Sequence, residues 1–166
     1  GSWTPIAATT LPGEGYTGVF DGNGKTIRGL SVSGTTMYQG LFGIINGAEI
    51  KGLTVEGQVS STNNYVGGIV GKAFSGKLTD CAFLGTVSTS KSGGTVGGIA
   101  GYIGNGASQT VAVSGCANGA NVTGGCVGGI AGYAKFSTIT DCLSTGMISG
   151  TGNTGGIVGQ SMNKTA

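Results

Sequence analysis

Apolar and polar positions alternate along this chain in short runs that keep returning. Ile27-x-x-Leu30-x-Val32 is followed by Ile50-x-x-Leu53-x-Val55-x-Gly57-x-Val59 and then by Leu78-x-x-Cys81-x-Phe83-x-Gly85-x-Val87. Val113-x-x-Cys116-x-Asn118-x-Ala120-x-Val122 and Ile139-x-x-Cys142-x-Ser144-x-Gly146-x-Ile148 continue the series. Alternation at period two from the second anchor onward predicts a strand with one face inside. The three-residue step before it breaks the alternation and predicts a corner or bulge between two short strands. No segment between glycines reaches the roughly 8 to 12 residues of apolar 3.6 spacing that a helix requires.

A second pattern runs through the first. GGIVG at 67–71 returns as GGIAG at 97–101 and 128–132 and as GGIVG at 155–159, and Gly40-Leu41-Phe42-Gly43 keeps the last four positions. The glycines that open these cores, Gly40, Gly68, Gly98, Gly129 and Gly156, are 28, 30, 31 and 27 residues apart. Self-similarity at such a period marks a solenoid. The expected fold is all-β: a single parallel β-solenoid, right-handed by the crossover rule, of about five coils of 26–35 residues. Each coil would carry a strand around the glycine motif, a short strand at the first anchor and a strand through the Cys position. Equivalent strands would lie about 4.8 Å apart.

Glycine has a structural task in this scheme. Val66 and Ile69 are apolar and three apart, so strict alternation cannot bury both. The glycine pair between them, Gly67-Gly68, whose second member recurs as Gly98, Gly129 and Gly156, permits the bend, through positive φ or close backbone approach. Each glycine costs about 0.5–1 kcal/mol in chain entropy, against about 1.5–3 kcal/mol for one buried Ile or Val. Burial therefore wins only when a coil has neighbours, and one repeat alone is not expected to fold.

The solenoid is expected over residues 15–159, with 1–14 as an N-terminal cap and 160–166 as a tail or a truncated next coil. Residues 1–14 hold the single Trp, Trp3, and both prolines, which suits a cover for an unpaired strand edge. The step from Leu78 to Val113 is 35 residues against 28 before and 26 after, so a loop should bulge near Gly104 to Thr110. Asn118 and Ser144 stand where Val55 and Phe83 stand earlier, and Asn118 must either hydrogen-bond its neighbours or face out.

Composition narrows the function. Of 166 residues 38 are glycine, and their register with Ile, Val and Leu argues for order rather than a disordered tract. Eight basic and six acidic residues give +2, too weak a field to draw nucleic acid. No apolar run is long enough for a transmembrane segment. Any export signal would lie outside this sequence. Cys81, Cys116 and Cys142 share one repeat position, so they should stack inside as free thiols, because side chains pointing the same way meet disulfide torsion poorly. With Cys126 they make four cysteines, and with no His and no CxxC pair a metal site is not expected. No cofactor is expected either.

Candidate chemistry is sparse. Gly13-Glu14-Gly15-Tyr16-Thr17-Gly18 fits the dinucleotide pattern, but no strand precedes it and no helix follows. Gly24-Lys25-Thr26 ends like a P-loop whose first glycine is replaced by Val19. Without histidine a Ser or Cys nucleophile has no ordinary base. Asp80 and Asp141 share a repeat position two rungs apart, about 9.6 Å, near the roughly 6.5–9.5 Å of inverting glycosidases. No third acid, basic cluster or lid accompanies them, so we expect solvated strand-edge residues and no enzyme. Tyr102 and Tyr133 each follow the last glycine of their motif and should stack one rung apart, with Lys72 and Lys135 near the same edge. Such a group could hold a sugar or a partner's apolar patch. Asn121-Val122-Thr123 and Asn163-Lys164-Thr165 match the glycosylation sequon. The column Thr26, Glu49, Lys77, Ala112, Thr138 lacks the regular Thr of an ice-binding face.

The glycine motifs, FDGNGKTIRGL at 20–30 and the Thr79-Asp80-Cys81 and Thr140-Asp141-Cys142 turns resemble GLUG-type repeats of bacterial surface proteins. That family includes proteins regarded as adhesins and the repeat regions of secreted immunoglobulin A peptidases. The resemblance covers about residues 15–160, and Ser2-Trp3-Thr4-Pro5-Ile6 resembles the lead-in to such arrays. It implies a non-catalytic, secreted or cell-surface module, an adhesin or a structural spacer. Its partners would be a host or bacterial surface protein or glycan and the neighbouring repeats of its parent protein. The alternatives are a carbohydrate-binding module using Tyr102, Tyr133 and Lys135, and a carbohydrate-active β-helix using Asp80 and Asp141.

Overall fold

The computed structural model describes residues 1–8, 11 and 13–162. No described residue is helical, and the strands of successive coils pair in parallel into a β-solenoid of about five turns. One turn shows the plan. Val66–Gly67 lies in a sheet with Thr95–Gly97, Cys126–Gly128 and Thr154–Gly155. The chain then bends at Gly68-Ile69 into Val70–Thr79, turns at Asp80-Cys81 and continues as Ala82–Thr89. The glycine motif is thus a corner between two sheets, not the centre of a strand. Cys81, Cys116 and Cys142 likewise sit at a corner rather than within a strand.

Coils two to five stack in the register that the alternation predicts. Ile50 pairs with Leu78, Leu78 with Val113 and Val113 with Ile139. Val55, Phe83, Asn118 and Ser144 form another column, and Val59, Val87, Val122 and Ile148 a third. The first coil departs from it. Phe20, not Ile27, lies beside Ile50, while Ile27 pairs with Val55 and Val32 with Val59. Two irregularities shift the frame. Between Asp21 and Lys25 the chain makes a turn in which Asn23 and Gly24 have φ of 48° and 69°, and the Asn23 N–H donates to Asp21 Oδ1 at 2.8 Å. Gly29, with φ of 73°, bulges next.

The motif glycines are required by space, and not by φ, which is positive at none of Gly68, Gly98, Gly129 and Gly156. A Cβ on Gly68 would overlap the Phe83 ring and the Gly98 carbonyl. One on Gly98 would strike Asn118 and the Gly129 carbonyl, and one on Gly129 the Gly156 carbonyl and Ser144. Gly156, in the last coil, faces open space. The close approach brings the benefit anticipated for it, since Val66 and Ile69 are both fully buried.

The expected loop appears as a small hairpin, with an antiparallel bridge between Gly106 and Gln109 and Asn105 Nδ2 donating to Gln109 Oε1 at 2.6 Å. It leaves between Ala100–Ile103 and Val111–Ser114, which pair with successive halves of Val70–Thr79. Toward the N-terminus Ile6 bridges to Phe42 and Tyr16 to Ile45, extending the ladders. Trp3 Nε1 donates to the Leu41 carbonyl at 3.3 Å while the ring stays 45% exposed. At the other end Ile139, Cys142, Ile148, Ile157 and Val158 are only partly buried, because they pack against one neighbouring coil.

Candidate functional site

Asp80 and Asp141 hold the corner position, exposed and left-handed, with φ of 51° and 53°. Short polar residues tolerate this conformation better than most. Gly115 occupies the equivalent place between them with φ of 62°, and a Cβ there would strike Asp80 Oδ1. The stacking register thus keeps the two acids two rungs apart on a convex corner. Neither belongs to an ion pair among the described residues.

Behind this corner the thiols form a column, all free. Cys81 and Cys116 are buried and Cys142 partly so, and each Sγ reaches the carbonyl two residues earlier, at 3.3 Å, 3.5 Å and 3.2 Å. The Cys142 thiol favours the Cys116 thiolate, but contact with Cys81 and burial outweigh it and push Cys116 up to about 12. Contact with Cys116 and burial raise Cys142 further. Contact with Cys116 also holds Cys81 below the usual thiol range, so the three thiols act on one another inside the wall, where they fill space as packing groups. Cys126 lies apart in the smaller sheet, bonded to the Gly132 carbonyl at 3.3 Å. No group of three or more His, Cys, Asp or Glu side chains converges for a metal among the described residues.

The side chains that gather on the outside are aromatic. Tyr102 and Tyr133 pair in register and stack with ring centroids 4.7 Å apart and an interplanar angle of 9°. Tyr65 meets Tyr102 edge-on at 5.5 Å, and Tyr38 stacks on Tyr65 at 5.5 Å. A continuous four-ring ladder results. The Lys72 ammonium lies 4.3 Å from the Phe74 centroid, 4.8 Å from Tyr102 and 5.7 Å from Tyr65, a cation–π nest. Lys135 sits 6.0 Å from Phe136. Burial, then the nearby Lys135 charge, holds Lys72 below the usual lysine range. Burial, then neighbouring tyrosines, raises Tyr38 and Tyr102, so both remain neutral donors.

Sequence reasoning placed Tyr102, Tyr133, Lys72 and Lys135 together and missed Tyr38, Tyr65 and Phe74. A signal existed. Tyr38 and Tyr65 both stand two residues before the first glycine of the unit Gly40 or Gly67, and the bridge from Gln39 to Val66 sets them side by side. Both have positive φ, 66° and 62°, uncommon for bulky residues. A shallow cleft of about 510 Å³ lies between the hairpin at Ala107 and Thr110 and the segment Phe136–Thr138, and none of the four tyrosines lines it. Of the two sequons, Asn121 is exposed at a strand start, while Asn163 lies outside the described residues.

These features define a β-solenoid repeat protein with packed thiols inside and an aromatic, cationic stripe outside. Residues 62–88, one full turn, match the family model of the GLUG motif, so the chain carries the GLUG repeat that its sequence resembles. No curated protein matches it. Among solved structures it is similar to a Bacteroides ovatus protein described as "a putative immunoglobulin A1 protease", with a TM-score of 0.63 and 23% identity. The match covers 83% of this chain and 49% of that one, so the chain spans about half the length of that protein. At this identity the likeness concerns the fold. No helix among the described residues is long and apolar enough to cross a membrane.

Proposed function

We propose that this chain is a non-catalytic repeat module of a secreted or cell-surface bacterial protein, serving as an adhesive or spacing segment. The observation that carries the reading is the uninterrupted stack. Interior strands are hydrogen-bonded to coils on both sides, and no buried side-chain nitrogen or oxygen among the described residues lacks a partner. Such a rod sets distance and presents regular outer columns. The GLUG match and the fold of the Bacteroides ovatus protein support the same reading. A carbohydrate-binding role is favoured by one observation, the clustering of four tyrosines and two lysines on one side.

The test is attachment of beads coated with the protein to host and bacterial cells. Attachment lost in Lys72→Gln supports the adhesive role, and absence of attachment leaves the spacer. Glycan hydrolysis that disappears in Asp141→Asn would refute the non-catalytic assignment.

A further inference from the structure

The face bearing Tyr102 and Tyr133 carries two ammonium groups, those of Lys72 and Lys135. The ion pairs among the described residues, Arg28–Glu56 and Lys51–Asp21, belong to the first two coils, and neither Lys72 nor Lys135 takes part in one. Lys72 pairs with Tyr102 and Tyr102 with Tyr133, and Lys135 follows Tyr133 by two residues on the same strand, so both lysines project from one sheet face. The hydroxyls of Tyr38, Tyr65 and Tyr102 have no hydrogen-bond partner among the described residues, while that of Tyr133 donates to Met162 Sδ at 3.2 Å. Tyr133, Tyr65 and the Lys72 ammonium all pack against the Tyr102 ring. This face therefore offers phenolic and cationic donors side by side.

From this we infer that the stripe binds an anionic polysaccharide along the solenoid axis, with an acidic group seated between Lys72 and Lys135 and chain oxygens accepting from the tyrosine hydroxyls. The inference deepens the adhesive half of the proposed function and rests on it. An anion there offsets the like charge of two ammoniums on one face, which no neutral ligand does. An acidic peptide fits less well. Ala100–Ile103 and Ala131–Lys135 are each paired on both sides, so neither strand of the Tyr102–Tyr133 pair has a free edge to take up a peptide backbone. A polysaccharide, hydroxyl-rich along its whole length, uses the row of phenols instead.

The experiment measures binding of the whole chain to polygalacturonate, heparin and neutral dextran by interferometry, at low and at physiological salt. The expected result is binding to an acidic polymer and not to dextran, weakened by salt. Lys72→Gln and Lys135→Gln should each reduce it about tenfold, as loss of a charge-assisted contact does, with circular dichroism and melting unchanged. The two polymers separate carboxylate from sulfate as the acidic group. Tyr102→Phe, which keeps the stack and removes only a hydroxyl, should weaken binding less. Equal binding to dextran, tighter binding of poly-glutamate, or full binding by the Lys72→Gln/Lys135→Gln double variant would overturn the inference. Binding to neither acidic polymer would also overturn it, and the bead assay would then show whether the adhesive reading falls with it.

Discussion

Asn118 offers the sharpest test of how the interior is held together. It is 1% exposed and lies in a column between Phe83 and Ser144. Its side-chain carbonyl accepts from the Ala120 N–H at 3.0 Å, and its amide donates to the Ala120 carbonyl at 3.1 Å and to Ser144 Oγ at 3.2 Å. The side chain thus does locally what a strand partner does elsewhere, satisfying the backbone of a fully buried alanine. Asn118→Ala removes all three bonds and orphans a buried N–H, which costs about 1–3 kcal/mol. The void beneath Phe83 adds roughly 1 kcal/mol, for a total of about 2–4 kcal/mol. Asn118→Asp keeps the acceptor but turns an oxygen toward the Ala120 carbonyl in a dry site, so it should be at least as destabilising at neutral pH. Urea unfolding followed by circular dichroism measures both, and the midpoint should fall with little change in slope. For a chain of this length each kcal/mol corresponds to about 2–4 °C in melting temperature. If Asn118→Ala stays within about 0.5 kcal/mol of the parent, the polar column is not structural and the argument fails.

Three further outcomes follow from the same packing. Gly68→Ala should destabilise strongly, since its methyl group meets the Phe83 ring and the Gly98 carbonyl, whereas Gly156→Ala, in open space, should be nearly neutral; melting temperatures of the two variants give the comparison. Ile99→Asp, fully buried in the middle of the stack, should unfold the coils around it, while Lys91→Asp in an exposed loop should leave the melt unchanged. Equal melts for that pair contradict the stacked-core account. Cys116 ionises near 9.0 when unfolded and near 12 when folded, so between these pH values the unfolded chain binds fewer protons and stability falls as pH rises. Cys116→Ala should flatten that alkaline decline in urea midpoints, and an unaltered slope would remove the thiol as its cause.

The amino-acid sequence determined the coil count, the parallel register of coils two to five, the cysteine column and the Tyr102–Tyr133 pair. In an in-register stack every side chain sits on its own equivalent, so a period along the chain becomes a column in space. The tertiary structure decided what periodicity does not encode. The turn at Asp21–Lys25 and the bulge at Gly29 displaced Ile27 from the Ile50 column to the Val55 column, because an irregularity in one coil shifts frame without altering the alternation that follows. Crowding rather than φ fixed the motif glycines, a matter of what lies in the next coil. Tyr65 reached Tyr102 only through the corner at Gly68-Ile69, which brings residues before and after the motif side by side on different columns. Contacts along a column repeat with the sequence, whereas contacts across a corner depend on the angle at which the backbone turns.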